Sequence, residues 1–301
     1  MSDAAVDLSE LYESAFSLGD EERLEVFMKG FELAKKRGDS SSESQFGAWI
    51  AFTYINTGNI DEALVLADEA VALDRETNNL THLPQSLVVL ASVYLVMGDW
   101  SKSEKFLDEA SSASQGRDNF EHISNIHWTL GWLHFEKGDY VKAKEHQAIV
   151  YEASVEEGDQ DGQIDQWYIW THIELGELEK ASNLIEYLHK FAIETDDKEY
   201  MANAYTLSGI LSRSRKKWGE AIEYFEKSLK QHEAVNARRW NAYWFAKMVL
   251  CEYARVYLER NEEGDREKAQ DLLDQALEIL QKMGAEKDIE KIMAKKNLLI
   301  T

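Results

Sequence analysis

Leu90-Ala91-Ser92-Val93-Tyr94-Leu95-Val96-Met97-Gly98-Asp99-Trp100 is the stretch that decides the fold. An apolar run ends on a glycine, an acidic residue follows, and a second amphipathic segment begins at once. The same phrase returns as Gly58-Asn59-Ile60, Gly138-Asp139-Tyr140 and Gly176-Glu177-Leu178, and in degraded form as Lys216-Lys217-Trp218. Its first positions, 58, 98, 138, 176 and 216, are separated by 40, 40, 38 and 40 residues. A period of that length marks a solenoid whose unit is helix, short turn, helix.

Aligning the chain on these turns exposes columns. Five residues after the turn stand Ala63, Ser103, Ala143, Ala181 and Ala221, small enough for two helices to approach closely. Twelve after it come Ala70, Ala110, Val150, Leu188 and Ser228. Seven before it are Ala51, Ala91, Gly131, Ile169 and Gly209, and four before it Tyr54, Tyr94, His134, His172 and Ser212.

Over about residues 8–283 this pattern resembles the tetratricopeptide repeat (TPR), whose first helix carries an aromatic residue, Leu, Gly or Ala, then Tyr, and whose second carries Ala, an aromatic residue and Ala. The proline that usually closes the second helix is missing from every unit, so that helix can continue. With the long period, this is similar to the helical regions of maltose-activator-type regulators, cell-polarity scaffolds and kinesin light chains. The resemblance implies an all-α, right-handed superhelical solenoid of antiparallel helix pairs, a single domain over 1–301. Its parts are expected at 8–38 (an N-terminal cap unit turning near Gly19-Asp20), 41–78, 81–117, 119–158, 159–196, 198–236, 238–283 and 286–300 (a capping helix). The last unit fits only if about three residues, near Asn261-Glu262-Glu263, are inserted before its turn at Gly264-Asp265.

Composition narrows the function classes. A single proline and 16 glycines leave little room for disordered linkers. The net charge of -23, from 56 acidic and 33 basic residues, repels phosphate backbones, so nucleic acid is not an expected ligand. No stretch is apolar for the roughly 18–20 residues that a membrane span needs, and the start lacks the pattern of a signal peptide. With one cysteine, Cys251, there is no intramolecular disulfide, and the chain reads as cytoplasmic.

A binding face is legible in the first helix of the units. In the third, Ile123, Ile126, Leu130 and Leu133 form the expected core stripe, while Trp128, Trp132 and Phe135 form a second stripe nearly opposite. The same offsets place Phe52, Trp170 and Ile210 on the concave side. Either these side chains line a groove, or tight curling buries them. Thirteen residues before each turn stand Gln45, Gln85, Asn125, Gln163 and Asn203, a carboxamide in all five regular units. Such a ladder can hold a ligand's backbone through donors and acceptors, or its members can bond one another. Glu121, Asp159, Glu199, Glu136 and Glu174 flank it, which suits a basic, amphipathic peptide. Uncharged residues at the groove offsets Ala48, Val88, Trp128, Gln166 and Thr206 argue against the carboxylate clamp of co-chaperones that this family contains.

Late in the chain charge reverses. Arg213, Arg215, Lys216 and Lys217, then Arg238 and Arg239 among Trp240, Tyr243 and Trp244, either complement helix dipoles or meet an acidic surface, head-to-tail self-association included. His127 and His134 read as core histidines, with His134 and His172 as possible neighbours in adjacent units. No phosphate loop, nucleophile elbow or paired-cysteine zinc motif occurs, so no cofactor, metal or catalytic centre is expected. The resulting expectation is a non-catalytic scaffold or adaptor that binds a peptide segment of a partner in its groove. The alternative is a sensor module whose groove takes a small molecule or oligosaccharide and acts through a partner.

Overall fold

The computed structural model describes residues 6–16, 18–115, 120–158 and 165–300; these are mostly helical, with no strand among them. Packing divides the chain into two compact units, Met1–Thr129 and Leu130–Thr301. The first holds α1 (Leu8–Ala15), α2 (Asp20–Arg37), α3 (Ser40–Thr57), α4 (Ile60–Glu76), α5 (Leu83–Met97), α6 (Trp100–Ser114) and the start of α7 (Phe120–Glu136). The second holds the end of α7, α8 (Tyr140–Glu157), α9 (Gln166–Glu174), α10 (Leu178–Thr195), α11 (Lys198–Ser214) and α12 (Trp218–Ala234). Two short helices follow, α13 (Ala237–Trp240) and α14 (Ala242–Trp244); a π-helical stretch, Phe245–Cys251, then runs into α15 (Glu252–Arg260), α16 (Asp265–Lys282) and α17 (Glu286–Ile300).

The recurring phrase is a pair of helix caps. Gly58, Gly98, Gly138 and Gly176 take φ of 86°, 84°, 77° and 77°, the left-handed region that a side chain disfavours. The residue after each glycine donates its N–H to the carbonyl five positions back, on Tyr54, Tyr94, His134 and His172, at 2.8, 2.9, 2.9 and 2.9 Å. The carboxylates of Asp99 and Asp139 then accept from the N–H groups of Lys102 and Lys142, which opens the next helix. Lys216 holds the same place at φ 57° with a side chain attached. Lys216→Gly is therefore expected to raise the unfolding free energy by about 1 kcal/mol; a urea titration showing no gain would contradict this reading of the turn.

Close helix pairs follow from the small column, for Ala63, Ser103, Ala143, Ala181 and Ala221 are all 0% exposed. Where the residue seven before the turn is Gly209, the missing Cβ makes room for the ring of Phe225, which would otherwise lie 2.8 Å away. In the first unit a buried carboxylate ties α3 to α4 and α5: Asp74 accepts from Ser44 Oγ at 2.6 Å, Ser86 Oγ at 2.7 Å and Asn79 Nδ2 at 3.0 Å. Burial holds its pKa above the usual value despite these three donors.

In the last repeat Asn261, at φ 56°, ends α15, with Ala254 and Tyr257 seven and four residues before it. Ala269 and Ala276 lie five and twelve residues after Gly264, so the two helices keep the column spacing only with a three-residue offset between them.

One sequence expectation needs correction. Ile123, in the first turn of α7, is 40% exposed, whereas Ile126 and Leu133 are buried. His134 stacks on His146 within its own helix pair, ring centroids 5.4 Å apart, and His172 Nδ1 lies 2.5 Å from Glu177 Oε2. Arg213 and Arg215 of the first basic cluster are engaged within the chain. Arg213, 4% exposed, pairs with Glu174, Glu252 and Glu259, and Arg215 reaches Glu179 and the carbonyl of Leu178.

Candidate functional site

On a helix, positions thirteen, ten, nine and six before the turn share one face, since they are spaced by three, one and three residues. In the unit Met1–Thr129 that face encloses a concave pocket of about 210 Å³, lined by Trp49, Phe52, Gln85, Ser92, Asn125 and Trp128 among others. Four residues singled out in the sequence, Phe52, Gln85, Asn125 and Trp128, meet here. Ser92 occupies the offset that Phe52 fills on α3, and its short side chain leaves the space open. Gln45 lies next door, in a smaller space of about 130 Å³ that Trp49 and Gln85 also line.

The carboxamides do bond one another: Asn125 Nδ2 donates to Gln85 Oε1 at 2.7 Å. That bond orients the pair and leaves the Nε2 group of Gln85 and the Oδ1 atom of Asn125, a donor beside an acceptor. A peptide group presents the complementary acceptor and donor. Trp49, Phe52 and Trp128, all half-buried, add apolar area around this polar pair. Trp49 was absent from the sequence reading, although Trp167 occupies the same offset and could have drawn attention to the column.

The unit Leu130–Thr301 treats the same face differently. Trp132 is 1% exposed, Phe135 8%, Trp170 5% and Ile210 0%. The expected open stripe is corrected here, because the chain fills it from α14. Trp244 sits 4.7 Å from both Trp132 and Trp167 between ring centroids, and Tyr243 lies 5.8 Å from Trp132. Phe135 packs at 4.8 Å against both Trp167 and Trp170. Ile210 is closed off on α11, which packs against α9 and α15. Asn203 is half-buried on α11, and Gln163 lies outside the described residues.

The flanking acids meet bases of their own chain. Glu136 is bonded by Lys247 and, at 3.2 Å, by Lys291; Lys247 also reaches Asp288 at 3.0 Å, and Tyr243 donates to Asp288 at 2.9 Å. Burial alone would lower the Lys247 pKa, but Asp288 and Glu136 outweigh it and hold the ammonium charged. Glu174 accepts from Trp170 Nε1 and pairs with Arg213 and Arg255. Glu199 accepts from Asn241 at 2.7 Å. Asp159 and the side chain of Glu121 lie outside the described residues.

Among the described residues no group of three or more His, Cys, Asp or Glu could hold a metal ion, and no helix is long and apolar enough to cross a membrane.

Comparison with known proteins gives a fold. No family model matches the chain, and no curated protein matches its sequence. Among solved structures, a Rap protein complexed with competence and sporulation factor is 15% identical, with 92% of this chain and 75% of that one covered and a TM-score of 0.71. A tetratricopeptide repeat protein from Parabacteroides merdae is 16% identical, with 98% and 99% covered and a TM-score of 0.54. BtubC (BKLC) from P. vanneervenii is 21% identical, with 74% and 92% covered and a TM-score of 0.52. The chain has the all-helical repeat fold of tetratricopeptide-repeat proteins.

Proposed function

We propose that the chain is a non-catalytic interaction scaffold that holds a peptide segment of a partner protein on the inner face of Met1–Thr129. The observation that carries this reading is the single concave pocket in which Phe52, Gln85, Asn125 and Trp128 meet beside Trp49. A bound segment would place a large apolar side chain against the aromatic walls and pair one of its peptide groups with Gln85 and Asn125. Aromatic side chains in such pockets are where binding energy concentrates. The complex of a Rap protein with competence and sporulation factor supports ligand binding by this fold in general, while its 15% identity leaves the partner here to experiment.

Positive charge does not define the proposed partner. Glu136, Glu174 and Glu199, which had suggested a basic peptide, are engaged within the chain. Apolar side chains and backbone polarity remain as the recognition chemistry.

Affinity capture from a native lysate with wild type and with Trp128→Ala and Gln85→Ala variants tests the proposal. The expected result is a protein retained by wild type and retained at least tenfold less by either variant, with unchanged circular dichroism. Equal retention by all three would move the contact away from this face.

A further inference from the structure

A second pocket, of about 380 Å³, lies wholly within Leu130–Thr301, walled by the end of α7, the start of α8, α9, the π-helical stretch with α15, and α17. Its apolar surface comes from Phe135, Tyr140, Trp170 and Ile292. Four carboxylates line it, and each already has cationic partners. Glu136 and Asp288 are held by Lys247 and Lys291, and Glu174 and Glu252 by Arg213 and Arg255.

Beside Glu252 Oε2, a buried acceptor held by ion pairs alone, the wall carries two groups of the opposite kind. Lys295 lines the pocket and forms no ion pair among the described residues. The hydroxyl of Tyr140 likewise has no hydrogen-bond partner there, while its ring is edge-on to Phe135 at 5.2 Å. Cys251 stays a neutral thiol: burial pushes it up to about 12 even though Lys295 pulls the other way. Burial, with the carboxylates of Glu174, Glu252 and Glu136 nearby, keeps the Tyr140 phenol protonated as a donor. In a chain of net charge -23, this pocket offers a cation and an O–H donor that have no partner among the described residues.

We propose that the pocket binds a small organic carboxylate carrying a flat unsaturated body, its carboxylate on Lys295 and Tyr140 and its body against Trp170 and Phe135. A neutral isostere would leave Lys295 without a counter-charge, and a compact inorganic anion would not reach the small parts of Trp170 and Phe135, 5% and 8% exposed, that line the pocket. The site is separate from the proposed peptide face of Met1–Thr129, so either proposal can fail alone.

Isothermal titration calorimetry of the full chain with benzoate is the test, with benzamide and inorganic phosphate as comparison ligands. The expected result is saturable one-to-one benzoate binding, at least tenfold tighter than either comparison ligand. It should weaken at least tenfold in Lys295→Gln, about threefold or more in Tyr140→Phe, and recover in Lys295→Arg. Non-saturating benzoate, benzamide binding equally well, phosphate binding more tightly, or benzoate affinity unchanged in Lys295→Gln would each overturn the proposal. Lys295 makes no ion pair among the described residues, and matching circular dichroism and melting curves confirm that its variants fold.

Discussion

Replacing Lys247 with methionine is expected to lower the unfolding free energy by about 3–5 kcal/mol, the cost of leaving buried charge without its partner. The side chain of Lys247 is 11% exposed, and those of Glu136 and Asp288 are 4% and 9% exposed. Methionine matches the length of the lysine stem but supplies no positive charge, so two carboxylates remain in a low-dielectric setting. Lys291 still reaches Glu136 and Tyr243 still donates to Asp288, which places the loss at the lower end of that range. A variant that also carries Glu136→Gln and Asp288→Asn should recover much of the loss, because neutral amides are cheaper to bury than unpaired carboxylates. Urea unfolding of the three proteins checks the prediction. A single variant as stable as wild type would mean that the network is solvated and contributes little.

Acid should weaken the fold through His232. Burial lowers its pKa to about 4, and its Nδ1 atom has no hydrogen-bond partner among the described residues, so protonation in the folded state would create an unmatched buried donor. An unfolded histidine titrates near 6.5. The folded pKa is depressed, so this contribution to stability is fully present above about 6.5 and is lost as the pH falls toward about 4. The full loss is about 3 kcal/mol, from roughly 1.4 kcal/mol per pH unit. His127, His172 and His189 are shifted in the same direction by burial, so they add to the trend. Denaturation midpoints at pH 7, 6, 5 and 4.5 for wild type and His232→Phe measure it. The variant should lose about 2.5 kcal/mol less than wild type between pH 7 and pH 4.5, and identical slopes would show that His232 is accessible to protons in the folded state.

Much of the repeat chemistry was legible because it is local. Gly58, Gly98, Gly138 and Gly176 announce left-handed caps, and the small column announces close helix pairs, with no knowledge of distant residues. The offsets six, ten and thirteen before the turns, read from sequence, carry Phe52, Trp128, Gln85 and Asn125 to the lining of a common pocket. What stayed hidden depends on long-range closure. Nothing near Trp132 in the sequence says that Trp244, more than a hundred residues later, will cover it. The π-helical turn at Phe245–Cys251 also breaks the register that would have aligned Tyr243 and Lys247 with earlier units. The central acids and tryptophans suggested a basic, amphipathic peptide of a partner. Within Leu130–Thr301 they meet Trp244, Lys247 and Arg255 of the chain itself, which no local signal announces.

An open inner face in Met1–Thr129 and a filled one in Leu130–Thr301 make a direct comparison possible by hydroxyl-radical footprinting of the protein alone and with its captured partner. The expected pattern is modification of Trp49, Phe52 and Trp128 in the free protein and their protection in the complex, with Trp132 and Trp167 unmodified in both. Partner protection of the outer helices α4 and α6 instead, or modification of Trp132 and Trp167 in the free protein, would contradict the assignment of the binding face.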